Sequence, residues 1–369
     1  MSTQTGRAPH PPSIGMLGAG FMARTHTIAA GTAGARLEAI ASSTPERAAR
    51  AADELGYARG LSADELFAEG LPVVHVCTPN HSHVGYARAA LRSGSHVICE
   101  KPLATNAAEA RELAAEANAA GLVGAVPFVY RYHPMVREAR ARIAGGEAGE
   151  AGAVLTVSGQ YLQDWLLDAG DDNWRVATDA GGPSRAFADI GSHLVDLVEF
   201  VSGDRIVRLA ATTRTVHAER GGQTVDTEDS AALIVELAGG GIGSMLVSQV
   251  APGRKNGLVL EIAGTRESVR FEQEDPERLW VGRRGHSLLL RRDPETLSPA
   301  AARLSKLPSG HPQGYQDAFN AFVADAYALA AGERREDVPT FADGARAAAI
   351  TDAVLASARD GRWVEVSEA

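Results

Sequence analysis

An apolar run from Ile14 to Leu17 stops at Gly18-Ala19-Gly20, and a helical stretch follows from Phe21 through Met22 and Ala23 to Ala30. This order of strand, glycine turn and helix constrains the fold more than any other feature, because a tight turn needs residues free of a Cβ clash. The pattern then repeats. Leu37 to Ser43 reads as a second strand, Thr44-Pro45 caps a helix that ends at Gly56, and Ser62-x-x-Glu65 forms a capping box. Val73 to Thr78 and Val97 to Glu100 are further buried strands. Strands that alternate with helices predict an α/β domain with a doubly wound parallel sheet, over residues 13–130.

A chain of 369 residues exceeds what one core ordinarily organises, so a second domain is expected over residues 131–369. Alternating runs mark its strands at Ala153–Tyr161, Ile206–His217, Ser230–Leu237, Gly243–Ala251, Leu258–Ala263 and Ser268–Glu272, and a long helix spans Gly314–Ala331. Residues 1–12 are polar and proline-rich and read as a loose tail, not as a secretory leader. No apolar run reaches the ~20 residues of a membrane span, so a cytoplasmic protein is expected. A formal net charge of −10 disfavours nucleic acid as a partner. Cys77 and Cys99 end apolar runs and read as reduced packing residues.

The first glycine turn carries chemistry as well as shape. Gly20 lets the backbone approach a pyrophosphate, and the N–H groups over Gly18, Ala19, Gly20, Phe21 and Met22 open a helix N-terminus that favours anions. The acid expected about 20 residues beyond, to hold the ribose hydroxyls of NAD, is absent. Ser42 and Ser43 stand there with Arg47 nearby, a set that suits a 2′-phosphate, so the cofactor is read as NAD or NADP.

Parallel sheets bind ligands at the carboxyl ends of their strands. There the chain places Cys77-Thr78-Pro79-Asn80-His81-Ser82-His83 and Cys99-Glu100-Lys101-Pro102, so Thr78, Pro79, Asn80, His83, Glu100 and Lys101 are expected around the nicotinamide end. His81 and His83 lack a third ligand for a metal and more simply cap the next helix. Only three of 36 basic side chains are lysine, and one of them, Lys101, directly follows a buried strand. Lysine is compact and arginine is not, which points to a catalytic role. Asp189 and His193 lie one helical turn apart beside an apolar stripe, so the carboxylate is expected to orient a general-base histidine.

Together, GAGFMA, CTPNHSH, EKP, YRYHP at Tyr130 to Pro134 and GGPSRAFADIGSHLVD at Gly181 to Asp196 resemble the Gfo/Idh/MocA oxidoreductases. The resemblance implies a Rossmann domain followed by an α+β domain with an open, largely antiparallel sheet that makes subunit contacts in a homodimer or homotetramer. It implies hydride transfer at a carbinol carbon of a sugar, glycoside or polyol, with Lys101, Asp189 and His193 as the catalytic trio. Whether His193 or Lys101 is the principal base stays open. Arg131 of the YRYHP segment is placed with both cofactor and substrate. Gln163, Asp164, Trp174, Arg175, His311 and Tyr315 are expected to line the sugar pocket, since hydroxyls want polar partners and the C–H face wants an aromatic one. An NAD-dependent elimination glycosidase and a non-catalytic dinucleotide-sensing regulator are the competing readings.

Overall fold

Gly18 adopts φ +101°, and a Cβ there would sit 2.4 Å from the Cys77 carbonyl oxygen, so the first turn admits glycine alone. The structure, a computed structural model, describes residues 11–368; most of the expected tail over residues 1–12 lies outside them. The turn joins β1 (Ser13–Leu17) to α1 (Phe21–Thr32). The alternation continues with β2 (Arg36–Ala41), α2 (Pro45–Leu55), β3 (Arg59–Leu61), α3 (Ala63–Ala68), β4 (Val73–Val76), α4 (His83–Arg92), β5 (His96–Cys99), α5 (Ala107–Ala119) and β6 (Gly124–Ala125). Thr44 accepts the Arg47 N–H as cap of α2, and Ser62 and Glu65 close their capping box reciprocally. The strands pair in parallel in the order β3-β2-β1-β4-β5-β6. That is the doubly wound sheet expected.

After a 3-10 turn at Val129–Tyr132, α6 (Pro134–Ile143) carries the chain to a second sheet. Its elements in order are β7 (Val154–Leu162), the short α7 (Thr178–Gly181), α8 (Ser192–Ser202), β8 (Ile206–Arg214), a ribbon of β9 (Glu219–Arg220) and β10 (Gln223–Thr224), β11 (Ser230–Leu237), β12 (Ile242–Ser248), β13 (Gly257–Gly264), β14 (Ser268–Glu272), β15 (Arg278–Gly282) and β16 (Ser287–Arg291). The chain finishes with α9 (Pro299–Leu304), α10 (Tyr315–Ala330), α11 (Phe341–Asp360) and β17 (Val364–Glu365). Nine strands pair as β16-β15-β14-β13-β7-β12-β11-β8-β17, and only β7 with β12 is parallel.

One face of this sheet packs on α8 and α6 through Val157, Leu194, Leu233, Val247 and Ile262. On its strands Leu155, Ile234, Ile242, Leu246 and Leu289 remain exposed. The last two long helices return to the first domain. Phe319, Phe322 and Tyr327 of α10 pack with Ile14, Met16 and Ile40, and Phe341 and Ala345 of α11 pack with Leu103 and Leu113. The helix α11 escaped the sequence reading because it is covered on more than one side and lined by alanine, which erases the amphipathic period. No helix among the described residues is long and apolar enough to cross a membrane.

Candidate active site

The N-terminus of α1 is open. Gly20 is its N-cap, no side chain caps it, and a Cβ on Gly20 would meet nothing within 4 Å. First-turn N–H groups left without partners form an anion site, and the empty space over Gly20 is the approach a pyrophosphate requires. Ala19 and Met22 are half-buried beside the turn, and Phe21 is exposed. These residues fit a dinucleotide. At the end of β2, Arg47 Nη1 donates to Ser43 Oγ at 3.3 Å, and both side chains remain exposed next to Ser42.

Lys101, just past β5, reaches across the cleft to the second domain. Its Nζ donates to Asp189 Oδ1 at 2.6 Å and to the Asp189 carbonyl at 2.9 Å, and both side chains are largely buried. An ammonium has three donors, so one is left for a substrate oxygen. Asp189 Oδ2 accepts Gln249 Nε2 at 2.8 Å, and Arg175 Nε stands 3.5 Å from Oδ1. Burial works to raise the Asp189 pKa, but Lys101 and Arg175 more than offset it and hold the carboxyl at about 2.

Here the expected geometry needs correction. Asp189 does not hydrogen-bond His193. The chain widens into a π turn at Phe187–Gly191 just before α8, and the Asp189 carboxylate faces the charged donor Lys101 instead. Among the described residues nothing hydrogen-bonds the His193 ring, and its Nδ1 is fully buried without a partner. The ring sits in an aromatic box, with Tyr130 at 5.0 Å, Phe128 at 5.6 Å and Tyr161 at 6.5 Å between centroids. Burial, aided by the Lys101 charge, lowers its pKa to about 3, so the imidazole is neutral.

A polar wall continues from the box. The Tyr130 and Tyr161 hydroxyls lie 2.5 Å apart, Tyr161 Oη donates to Asn256 Oδ1 at 2.6 Å, and Gln163 Nε2 donates to the same oxygen at 3.2 Å. Trp165 Nε1 in turn donates to Gln163 Oε1 at 2.9 Å. Tyr315, the first residue of α10, packs 6.2 Å from Tyr130. Arg175, beside Asp189, stacks over the indole of Trp174 at 4.4 Å.

Several expected ligands are committed elsewhere. Asn80 Nδ2 donates to the Gly181 carbonyl and clasps the two domains, while the half-buried Thr78 accepts from Ser82 at Oγ1 beside the exposed Pro79. Both His83 nitrogens face backbone carbonyls, of Pro102 at 2.7 Å and Thr78 at 2.8 Å, so its ring staples two loops together. Glu100 points into the domain toward His26. Arg131 is buried in a bidentate pair with Asp196 and bonds Asp343 at 2.7 Å, which removes Arg131 and Asp196 from the cleft. Asp164 accepts Lys255 Nζ at 2.7 Å and the Gly253 N–H at 3.1 Å, closing a surface loop. His311 is exposed and bonds through its carbonyl, to Arg292. Conversely, Gln249 and Asn256 were missed. Gln249 had a signal, since it continues the inward phase of Met245 and Val247 and is fully buried although polar. Asn256 had none, because Arg254-Lys255-Asn256-Gly257 reads as an ordinary turn.

Residues 13–128 match the oxidoreductase family with an NAD-binding Rossmann fold, Gfo/Idh/MocA, and residues 136–270 match its C-terminal domain. The chain belongs to this family of NAD-binding oxidoreductases. It is 29% identical to the levoglucosan dehydrogenase of Pseudarthrobacter phenanthrenivorans over 96% of its own length and 98% of that protein. A solved levoglucosan dehydrogenase in complex with NADH and levoglucosan superposes with a TM-score of 0.90 at 30% identity, covering 97% of this chain and all of that one (100%). An inositol dehydrogenase homolog from Azotobacter vinelandii, complexed with NADH and myo-inositol, gives a TM-score of 0.86 at 28% identity, with 96% of this chain and 98% of that one covered.

Proposed function

We propose that this oxidoreductase moves hydride between NAD or NADP and a carbinol carbon of a cyclic sugar, glycoside or polyol. One observation carries the reading. Lys101, held on Asp189 with one N–H unspent, lies close enough to the neutral His193 in its aromatic box for its charge to act on the ring. Nicotinamide, when bound, accepts or returns the hydride. Lys101 holds the reacting oxygen by its free N–H, and His193 takes the hydroxyl proton during oxidation. Asp189 keeps the ammonium in place and balances its charge. Trp174 and the Tyr130, Tyr161 and Tyr315 rings supply apolar surface for a C–H face, while Gln163, Asn256 and Arg175 supply hydrogen bonds. The full-length likeness to proteins named for levoglucosan and inositol supports a ring substrate. Purified protein assayed with both dinucleotides against levoglucosan, inositols, aldoses and glycosides tests this. Reduction of cofactor with transfer of deuterium from the carbinol carbon is expected. Sugar binding without any redox turnover overturns it.

A homodimer or homotetramer is part of the proposal, the occupant of the open sheet face being a second copy. Ile234, Ile242 and Leu246 stand exposed on adjacent strands β11 and β12, an apolar patch of the kind that marks an interface. Sedimentation as a monomer at micromolar concentration contradicts it. A cytoplasmic setting completes the reading, consistent with the unpaired thiols of Cys77 and Cys99.

A further inference from the structure

Behind Lys101 a second polar system crosses the core of the first domain. His26 of α1 and His75 of β4 are fully buried, with their Nδ1 atoms 2.8 Å apart. His26 Nε2 lies 2.9 Å from Glu100 Oε1, and His75 Nε2 lies 2.7 Å from the Tyr327 hydroxyl on α10. The other Glu100 oxygen accepts the Lys101 backbone N–H at 3.1 Å. Neither the cofactor cradle nor the sugar pocket uses these groups.

Their proton positions follow from counting donors and acceptors. A carboxylate only accepts, so His26 Nε2 carries a hydrogen. Neutral His26 then accepts at Nδ1, which requires His75 to donate from Nδ1. His75 Nε2 is left as an acceptor for the Tyr327 O–H. The opposite direction makes His26 an imidazolium beside Phe319, and it leaves the Tyr327 hydroxyl hydrogen with no acceptor among the described residues. A buried donor without an acceptor costs about 1–3 kcal/mol, so the neutral chain is favoured.

We infer that Tyr327, His75 and His26 form a one-way hydrogen-bonded chain that holds Glu100 as a carboxylate and, through the Lys101 N–H, positions Lys101 for the reaction. The inference rests on the role proposed above for Lys101. Burial pushes the Glu100 carboxyl upward, and His26 first, by hydrogen bond and electrostatics, then Lys101 and His83, keep it below its ordinary value. The groups facing Glu100 are His26 from α1, His83 from α4, the Cys77 and Cys99 thiols at the strand ends, Lys101 beside it, and His193 and Tyr315 across the cleft.

Two experiments test this. In the unmodified protein, nitrogen-15 NMR of the histidine rings reads the chain without turnover. A neutral Nε2–H tautomer at His26 and a neutral Nδ1–H tautomer at His75 are expected, and an imidazolium at His26 overturns the inference. In the second, His75→Leu removes the donor to His26, so Glu100 binds a proton more readily and the acid limb of kcat/KM moves up by about one pH unit. His75→Asn, whose amide N–H replaces Nδ1–H, restores the limb to within about 0.3 unit of the parent. Should His75→Leu fail to fold, Tyr327→Phe shifts the limb in the same direction by less. An unmoved limb in every folded variant, or an Asn variant shifted like the Leu one, overturns the inference. Failure of the Lys101 reading looks different, since the NMR tautomers stand whether or not Lys101 acts in turnover.

Discussion

Asp189 and His193 lie four residues apart at the start of one helix, yet the Asp189 carboxylate bonds Lys101 at 2.6 Å and leaves the His193 ring without a hydrogen-bond partner among the described residues. The two candidate proton-handling groups are therefore supported differently. Lys101 is fixed by charge, through a carboxylate that Gln249 also holds. His193 is fixed by packing, within the rings of Phe128, Tyr130 and Tyr161. The carboxylate thus serves the lysine, and the base needs no carboxylate to stay neutral because burial already withholds its proton.

His193→Ala is expected to lower turnover by about 100- to 10,000-fold, the usual cost of losing a general base. Dinucleotide affinity should stay nearly unchanged, because the α1 cradle lies on the other domain. Steady-state kinetics with a fluorescence titration of NADH checks both. A parallel loss of cofactor binding would assign the histidine to structure alone.

The low pKa of His193 has a stability consequence with a definite sign. Burial first, then Lys101, hold it at about 3 against an ordinary 6.5, so between those values the unfolded chain binds a proton that the folded chain refuses. The contribution of the neutral ring is whole above that ordinary value and falls as pH drops, by about 1.4 kcal/mol per pH unit. His193→Phe should therefore lose less stability than the parent on acidification from about pH 6 to pH 5, by about 1 kcal/mol in urea titrations. Identical losses would show that His193 is not held neutral.

Arg47 and Ser43 occupy the end of β2 where an acid would select NAD. Arg47→Ala is expected to raise KM for NADP by about tenfold, the cost of about 1.4 kcal/mol from a charged hydrogen bond, with little change for NAD. Equal changes for both dinucleotides would remove Arg47 from recognition of the 2′-phosphate.

What the sequence revealed and what it hid follow from the range of the interactions. The Rossmann half was legible because its signals are local: Gly18 in its tight turn, Thr44 and Ser62 as caps, apolar runs as strands. Lys101 could be singled out by residue choice alone. The partners of these side chains were not legible, because each is made across the cleft or through the core. Nothing near Asp189 announces Gln249, and nothing near Arg131 announces Asp343, so a π turn overrides the Asp189–His193 pair that spacing suggests, and a distant carboxylate overrides the cleft role that the resemblance implies for Arg131. His75 did leave a trace, a polar residue within Val73-Val74-His75-Val76, which a strand buried on both faces tolerates only when it is hydrogen-bonded.

The central claim is that the Lys101 ammonium, and not merely a positive charge, acts on the substrate oxygen. Turnover of Lys101→Arg on the true substrate tests it most directly, since arginine keeps the charge and can still pair with Asp189. The wide guanidinium cannot place one N–H where the small ammonium does, and misplacing a reacting group by ~1 Å can cost ~100-fold. A folded, dinucleotide-binding variant with turnover reduced at least about tenfold is predicted. Near-native turnover would contradict the account and leave His193 as the sole group acting on the reacting oxygen.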